Sequence, residues 1–194
     1  MAGDNAIYAV AKTILGLIED YCPDTFNAEF FDFYHADDYR TAPEKRGFSL
    51  MLYRVGINAS LRNLPPRRDE NGRRVKPSLP LDLHYMLTPW ASSADTQQLM
   101  LGWVMRFLED RQVIPAAIVN SYAAGALRPD EAIEFVCDPL AATDYFNLWE
   151  KLKPGMQTSV TYVARMVLLD SKLQVEEALP VQTREFEVGI EVPQ

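Results

Sequence analysis

Residues 48–91 constrain what this chain can fold into more than any other stretch. The first run is Ser49-Leu50-Met51-Leu52-Tyr53-Arg54-Val55-Gly56-Ile57, rich in β-formers. The second is Leu79-Pro80-Leu81-Asp82-Leu83-His84-Tyr85-Met86-Leu87-Thr88-Pro89-Trp90. Read at period two, Met51, Tyr53, Val55 and Ile57 form one apolar series and Leu79, Leu81, Leu83, Tyr85 and Leu87 another. Arg54, Asp82, His84 and Thr88 fall on the polar phase. Two adjacent strands with one buried face each read this way. The connector 60–78 is rich in Pro and Arg and holds Asn71-Gly72, a dipeptide suited to a tight reversal. The expectation is an antiparallel pair carrying a basic arm, its roots stiffened by Pro65-Pro66 and Pro77 and its tip mobile.

Around this pair the pattern alternates helix and strand. Ile7, Val10, Ile14, Leu17, Ile18 and Tyr21 predict a helix over 6–21, with Asp4 as its cap and Pro23 as its stop. A short strand is expected near 29–34, followed by a loop through Pro43. Ser92-Ser93-Ala94-Asp95 opens a helix to about Asp110, with Met100, Trp103, Val104, Phe107 and Leu108 on one face. A short helix follows Pro115, a strand covers 131–138, and Thr143 caps a helix closed by Pro154-Gly155. The run 159–169 is apolar on both phases and predicts a central strand. Finally, Glu185-Phe186-Glu187-Val188-Gly189-Ile190-Glu191-Val192 alternates throughout and predicts a strand with one face to cover. The fold class is α+β, a mixed or antiparallel sheet covered by helices, in one domain over 1–172 with an extended tail over 173–194.

At 48% hydrophobic and 24% charged residues, the composition is that of a soluble globular protein. No apolar run is long enough to span a bilayer, and Lys12, Glu19 and Asp20 in the first helix argue against a secretory leader. Cys22 and Cys137 are far apart and read as free thiols of a reducing compartment, which points to synthesis in a bacterial cytoplasm. A net charge of −8 argues against a general nucleic-acid binder. The charge is uneven. Over residues 1–44 acids face only Lys12 and Arg40, whereas Arg62, Arg67, Arg68, Arg73, Arg74 and Lys76 outnumber Asp69 and Glu70 in the arm. Such a molecule can pair head to tail with its own copies, or the two regions are simply solvated surfaces.

The sequence carries no phosphate-binding glycine loop, nucleophile elbow or paired histidines at metal spacing. Asp82 and His84 share one face of a strand, a device of acid–base catalysis when a nucleophile is set up beside it. No Ser or Cys is recognisably placed for that role, so a structural or subunit-contact histidine is the competing reading. His35-Ala36-Asp37-Asp38 can touch a hard cation or form a solvated acidic turn.

These residues resemble a family. Ser49-Leu50-Met51-Leu52-Tyr53-Arg54-Val55 with Leu61-Arg62-Asn63, paired with Leu79-Pro80-Leu81-Asp82-Leu83-His84-Tyr85-Met86-Leu87-Thr88-Pro89-Trp90-Ala91, resembles the terminator, or cap, family of extracellular contractile injection systems. The resemblance runs on through 99–108 and Ser159-Val160-Thr161-Tyr162 to Val167-Leu168-Leu169-Asp170-Ser171. It implies a structural, non-enzymatic protein with no cofactor or metal. Such a protein closes the membrane-distal end of the inner tube and sheath of a phage-tail-like particle as a ring, expected to be a homohexamer. Its partners are then itself, the tube protein and the sheath protein, with no nucleic acid and no membrane. The particle is assembled in the cytoplasm and is open to release. A neck or connector protein of a contractile phage tail, and more remotely a hydrolase using His84 and Asp82, are the alternatives. The expected assembly contacts are Arg54, Asp82 and His84 on the strand pair, Arg67, Arg68, Arg73, Arg74 and Lys76 in the arm, and Phe186, Val188 and Ile190 in the tail.

Overall fold

In a computed structural model, residues 4–69, 71–152 and 155–175 are described. Apolar residues recurring every three or four positions build helix α1 (Ala6–Tyr21), and Val10, Ile14 and Ile18 on its inner stripe are fully buried. Its start differs from expectation. Asn5 holds the cap position without a side-chain bond, and Asp4 reaches Lys172 at 3.5 Å instead. Pro23 disfavours a helical Cys22 and ends the helix. Gly16 inside α1 has a packing reason. A Cβ there would lie 2.5 Å from Cε1 of Tyr122, at the end of α3 (Ala116–Tyr122).

The main sheet contains β1 (Phe30–Phe33), β2 (Gly47–Ile57), β5 (Leu79–Trp90), β6 (Val113–Pro115), β7 (Ala132–Cys137) and β8 (Val160–Leu169), in the order β1-β2-β5-β8-β7-β6. Only β1 and β2 run parallel; every other neighbouring pair is antiparallel. The predicted strand pair is therefore present, and 159–169 supplies a central strand between β5 and β7. The short strand expected near 29–34 is β1, but its parallel pairing with β2 does not follow from the sequence, nor does the 3₁₀ helix Ala36–Arg40 in the crossover that makes it possible, where a loop is expected. Gly47 allows β1 to come close, since a Cβ would lie 2.1 Å from the Phe30 carbonyl oxygen.

The expectation of one apolar face on β2 is corrected by a β-bulge. Leu52 pairs with Tyr85 and Arg54 with His84, so Tyr53 is an extra residue and the side-chain phase flips across it. Met51 and Tyr53 accordingly face away from Val55 and Ile57. The latter two are 48% and 50% exposed rather than buried, and Leu79 at the start of β5 is 44% exposed. A second irregularity sets Arg165 and Met166 of β8 against Asp82, with Met166 at φ 64°.

Both faces of the sheet are covered. On one, α1, α3 and α2 (Ala94–Glu109) enclose Phe48, Leu50, Leu81, Leu83, Tyr85 and Leu87. Ser93 caps α2 as expected, accepting from the Thr96 amide at 3.3 Å. On the other, the 3₁₀ helix and α4 (Ala142–Leu152) pack Tyr39, Trp149 and Leu152 against Met51, Met86 and Trp90. Thr143 lies inside α4 rather than capping it. The second core is partly polar: the Trp90 indole donates to Ser49 at 2.8 Å, and the Tyr39 hydroxyl lies 3.4 Å from both Ser49 and Thr88. With their polar ends bonded, the Trp90 and Tyr39 rings contribute about 2 kcal/mol each, whereas the buried Trp149 indole nitrogen has no partner among the described residues.

Candidate assembly surface

The strand register brings Arg54, Asp82 and His84 to one face as expected, Asp82 and His84 by their spacing and Arg54 through the bulge at Tyr53. Arg54 pairs with His84 and Gly56 with Asp82 across β2 and β5. The couple between Asp82 and His84 is not formed, however. Nδ1 of His84 hydrogen-bonds Asp138, just past β7, at 3.1 Å, while Asp82 accepts from the Asn58 amide at 3.0 Å. Asn58 also caps a short 3₁₀ turn by accepting from the Ser60 and Leu61 amides, so its role is structural. The Tyr53 ring lies 6.0 Å from His84, and burial followed by the nearby Asp138 carboxylate pushes its phenol pKa up. Among the described residues no Ser or Cys hydrogen-bonds His84. Burial first, then nearby carboxylates, pushes both thiols up, with Asp24 beside Cys22 and Glu109 and Asp138 near Cys137. That disfavours the nucleophilic thiolate. The imidazole is thus held as a structural hydrogen-bonding group beside an exposed Arg54.

The acidic turn at His35 satisfies itself. His35 and Asp38 pair at 2.6 Å, and Arg40 reaches Asp37 at 2.8 Å. The Asp38 carboxyl is held below its usual range, chiefly by the His35 backbone amide. Among the described residues no group of three His, Cys, Asp or Glu is placed to hold a metal ion.

The basic arm folds into a small hairpin, β3 (Arg67–Arg68) against β4 (Arg74–Val75). Gly72 supplies the φ of 75° that the reversal needs, and the Asp69 carboxylate accepts from the Asn71 and Arg73 amides at 2.9 and 2.8 Å. The arm's cations divide into two sets. Arg73, Arg74 and Lys76 are exposed, and the exposed Arg68 donates to the Gly72 carbonyl. Arg67 turns inward to Asp170, just past β8 and 2% exposed, at 2.8 Å. That pair is close but not aligned, for neither Nη2 nor Oδ2 completes a hydrogen bond. Asp170 is better served by Ser78 and Arg128, each donating at 2.6 Å, and Arg128 pairs with Glu131 at 2.9 Å. Burial alone would push the Asp170 carboxyl up. The hydrogen bonds from Ser78 and Arg128 and the charges of Arg128 and Arg67 outweigh it and hold the group below the usual carboxylate range. Burial instead leaves Glu131 raised.

Beyond β8 the chain returns to the arm. Lys76 donates to the Leu173 carbonyl and Val175 to that of Arg74, both at 2.9 Å, and Gln174 bridges to Val75. Phe186, Val188 and Ile190 lie outside the described residues. Sequence reasoning missed Asn58, Arg128, Glu131, Asp138 and Asp170. Most of their partners are remote in the chain, 54 residues between His84 and Asp138, 42 between Arg128 and Asp170 and 92 between Ser78 and Asp170; Arg128 and Glu131, three apart, are the local pair.

The same architecture occurs in solved structures. The sheath/tube terminator of the PVC extracellular contractile injection system, in its extended state, matches with a TM-score of 0.61 at 18% identity, over 96% of this chain and 64% of that one. The tube-terminating cap of the anti-feeding prophage matches with a TM-score of 0.58 at 19% identity, over 92% of this chain and 60% of that one. This chain therefore spans under two thirds of the length of either neighbour. A search of curated proteins finds no match. The family model for the Pvc16 N-terminal domain matches residues 9–183, a span that takes in the whole sheet, the arm and the chain that returns to it past β8. With its fold and its sequence in agreement, the chain belongs to the Pvc16 N-terminal domain family.

Proposed function

We propose that this protein is a structural cap: it closes the distal end of the inner tube and sheath of a contractile, phage-tail-like particle, ends tail growth and so fixes length. The observation that carries this reading is the overlay of 96% and 92% of the chain on a sheath/tube terminator and on a tube-terminating cap. In this reading the subunits form a ring, six-fold by expectation, that binds the last tube and sheath rings better than further subunits do. The protein is made in the bacterial cytoplasm, carries no catalytic residue and contacts neither nucleic acid nor membrane.

The charge layout supports ring formation by head-to-tail contacts. Asp32 in β1 and Asp37 and Asp38 in the 3₁₀ helix lie by the end of β2 that β1 pairs with, while the arm leaves from the opposite end. Arg54, Asp82, His84 and the exposed arm cations are the contacts we assign to neighbouring subunits or to the tube.

Deleting the gene and imaging the particles by cryo-electron microscopy tests the proposal. The expected outcome is tubes of dispersed length with open distal ends, restored by the wild-type copy. Particles of unchanged length with their distal density intact would overturn it.

A further inference from the structure

The order of the sheet leaves part of β2 uncovered. β1 runs beside β2 only from Gly47 to Leu50, and the last backbone bond on that side is Tyr34 to the Leu50 carbonyl at 3.0 Å. From residue 52 to 57 no strand among the described residues flanks this edge. An unpaired edge normally carries charges, a proline or a cover. Here it carries a single charge, Arg54, and the Tyr53 bulge, and on the helix-rich face it leaves Leu52, Val55 and Ile57 at 36%, 48% and 50% exposure.

Just past the end of β1, the start of this edge, Leu52 and Tyr53, joins Leu50 and Met51 in the floor of a slot of about 710 Å³, and Val55 and Ile57 continue the edge beyond it. Ile7 and Tyr8 of α1, with Phe33, wall it on one face; Leu148 and Leu152 of α4 wall it on the other. Tyr8 and Phe33 are themselves 54% and 44% exposed, so the slot is apolar and open along the line of a strand. A gap in a sheet walled on both faces accepts an extended segment at the ordinary strand spacing, with main-chain bonds to the edge and side chains into the walls.

We infer that the open edge of β2, residues 52–57, takes residues 185–192 of a neighbouring copy as an added strand. The inference rests on the ring reading above. In 185–192, Phe186, Val188, Ile190 and Val192 alternate with Glu185, Glu187 and Glu191. Laid beside β2 with its apolar side toward Leu52, Val55 and Ile57, the segment turns its glutamates to the opposite face. That face presents the exposed Arg54, and Lys151 lines the slot there. The described chain ends at Val175 on the arm, and residues 176–184 span up to about 30 Å when extended. Arm and tail leave the molecule together. A head-to-tail packing that lays the arm on the next subunit therefore delivers the tail to that subunit's edge.

The test uses particles from cells expressing two differently tagged copies, both with Cys22→Ser and Cys137→Ser. One copy carries Val55→Cys; the other carries Phe186→Cys, Val188→Cys or Ile190→Cys in turn. Mild oxidation is expected to give a dimer containing both tags, absent when the second copy carries Glu187→Cys. A capped particle without that dimer overturns the inference while leaving the terminator reading intact. So does Val55→Cys bridging to a tube or sheath subunit, or an intrachain bridge alone when Val55→Cys and Val188→Cys share one chain. A chain missing from the particle end overturns both. Independently, Val55→Asp is expected to lower cap occupancy at least fivefold with the free subunit's melting temperature unchanged; unchanged occupancy contradicts the inference.

Discussion

Asp170 shows how much a single carboxylate can hold together. Ser78 and Arg67 reach it from the arm, and Arg128 from the loop before β7. Removing one charge from such a cluster leaves the others buried without compensation. Asp170→Asn is expected to cost about 3 kcal/mol, the low end for a buried pair, because the Arg67 and Arg128 side chains keep 20% and 23% exposure. The pH dependence follows from the direction of its shift. A carboxyl depressed in the folded state stabilises above its unfolded value, near 3.9, and that contribution is lost as the pH falls through the folded value. In urea unfolding, wild type and Asp170→Asn are therefore expected to differ at pH 7 and to converge toward pH 3. A gap that stays constant across that range would contradict this account.

Two glycines in α-helices separate packing from propensity. Gly102 in α2 has nothing within 4 Å of an added Cβ, whereas Gly16 in α1 abuts Tyr122, whose hydroxyl bonds Asp20. Gly102→Ala is expected to raise stability by about 0.5–1 kcal/mol, the ordinary helix gain. Gly16→Ala is expected to lower it by about 1–2 kcal/mol, because the ring must be displaced. Thermal melts of the two variants should thus move in opposite directions. At this scale the chain was legible where the signal was local. The helices over 6–21 and 94–109, the long strand pair and the central β8 all follow from period and punctuation. The faces of β2 were not legible, because one bulged residue, Tyr53, inverts the phase for everything after it. The strand β1 was legible, but its parallel pairing was hidden, since it depends on a crossover anchored by the burial of Tyr39 and by remote bonds such as Tyr34 to Leu50 and Arg46 to Phe26. The polar site divides the same way. A shared face for Asp82 and His84 follows from spacing, whereas Arg54 joins it through the bulge at Tyr53, and the bond from His84 to Asp138 depends on tertiary folding alone.

For the whole molecule, the distribution of charge matters more than its net value of −8. The exposed Arg73, Arg74 and Lys76 sit at the far end of the strand pair from Asp32, Asp37, Asp38 and Glu44, acids that Arg40, Lys45 and Arg46 of the same crossover partly offset. Replacing both Arg73 and Arg74 by Glu is expected to reduce cap incorporation at least fivefold at physiological salt, with the fold unchanged by circular dichroism. Wild-type incorporation should itself weaken as salt is raised. Normal incorporation of the double variant would remove the arm from the list of contacts. Arg67, by contrast, serves the interior, and this gives the arm a mechanical property. Its root is tied to Asp170 by the Ser78 hydrogen bond and the Arg67 charge, at the end of β8 that pairs with the start of β5. A load taken up at the arginine tip is therefore passed into the middle of the sheet rather than spent in bending a hinge. In the cap role proposed above, the arm would serve as a strut.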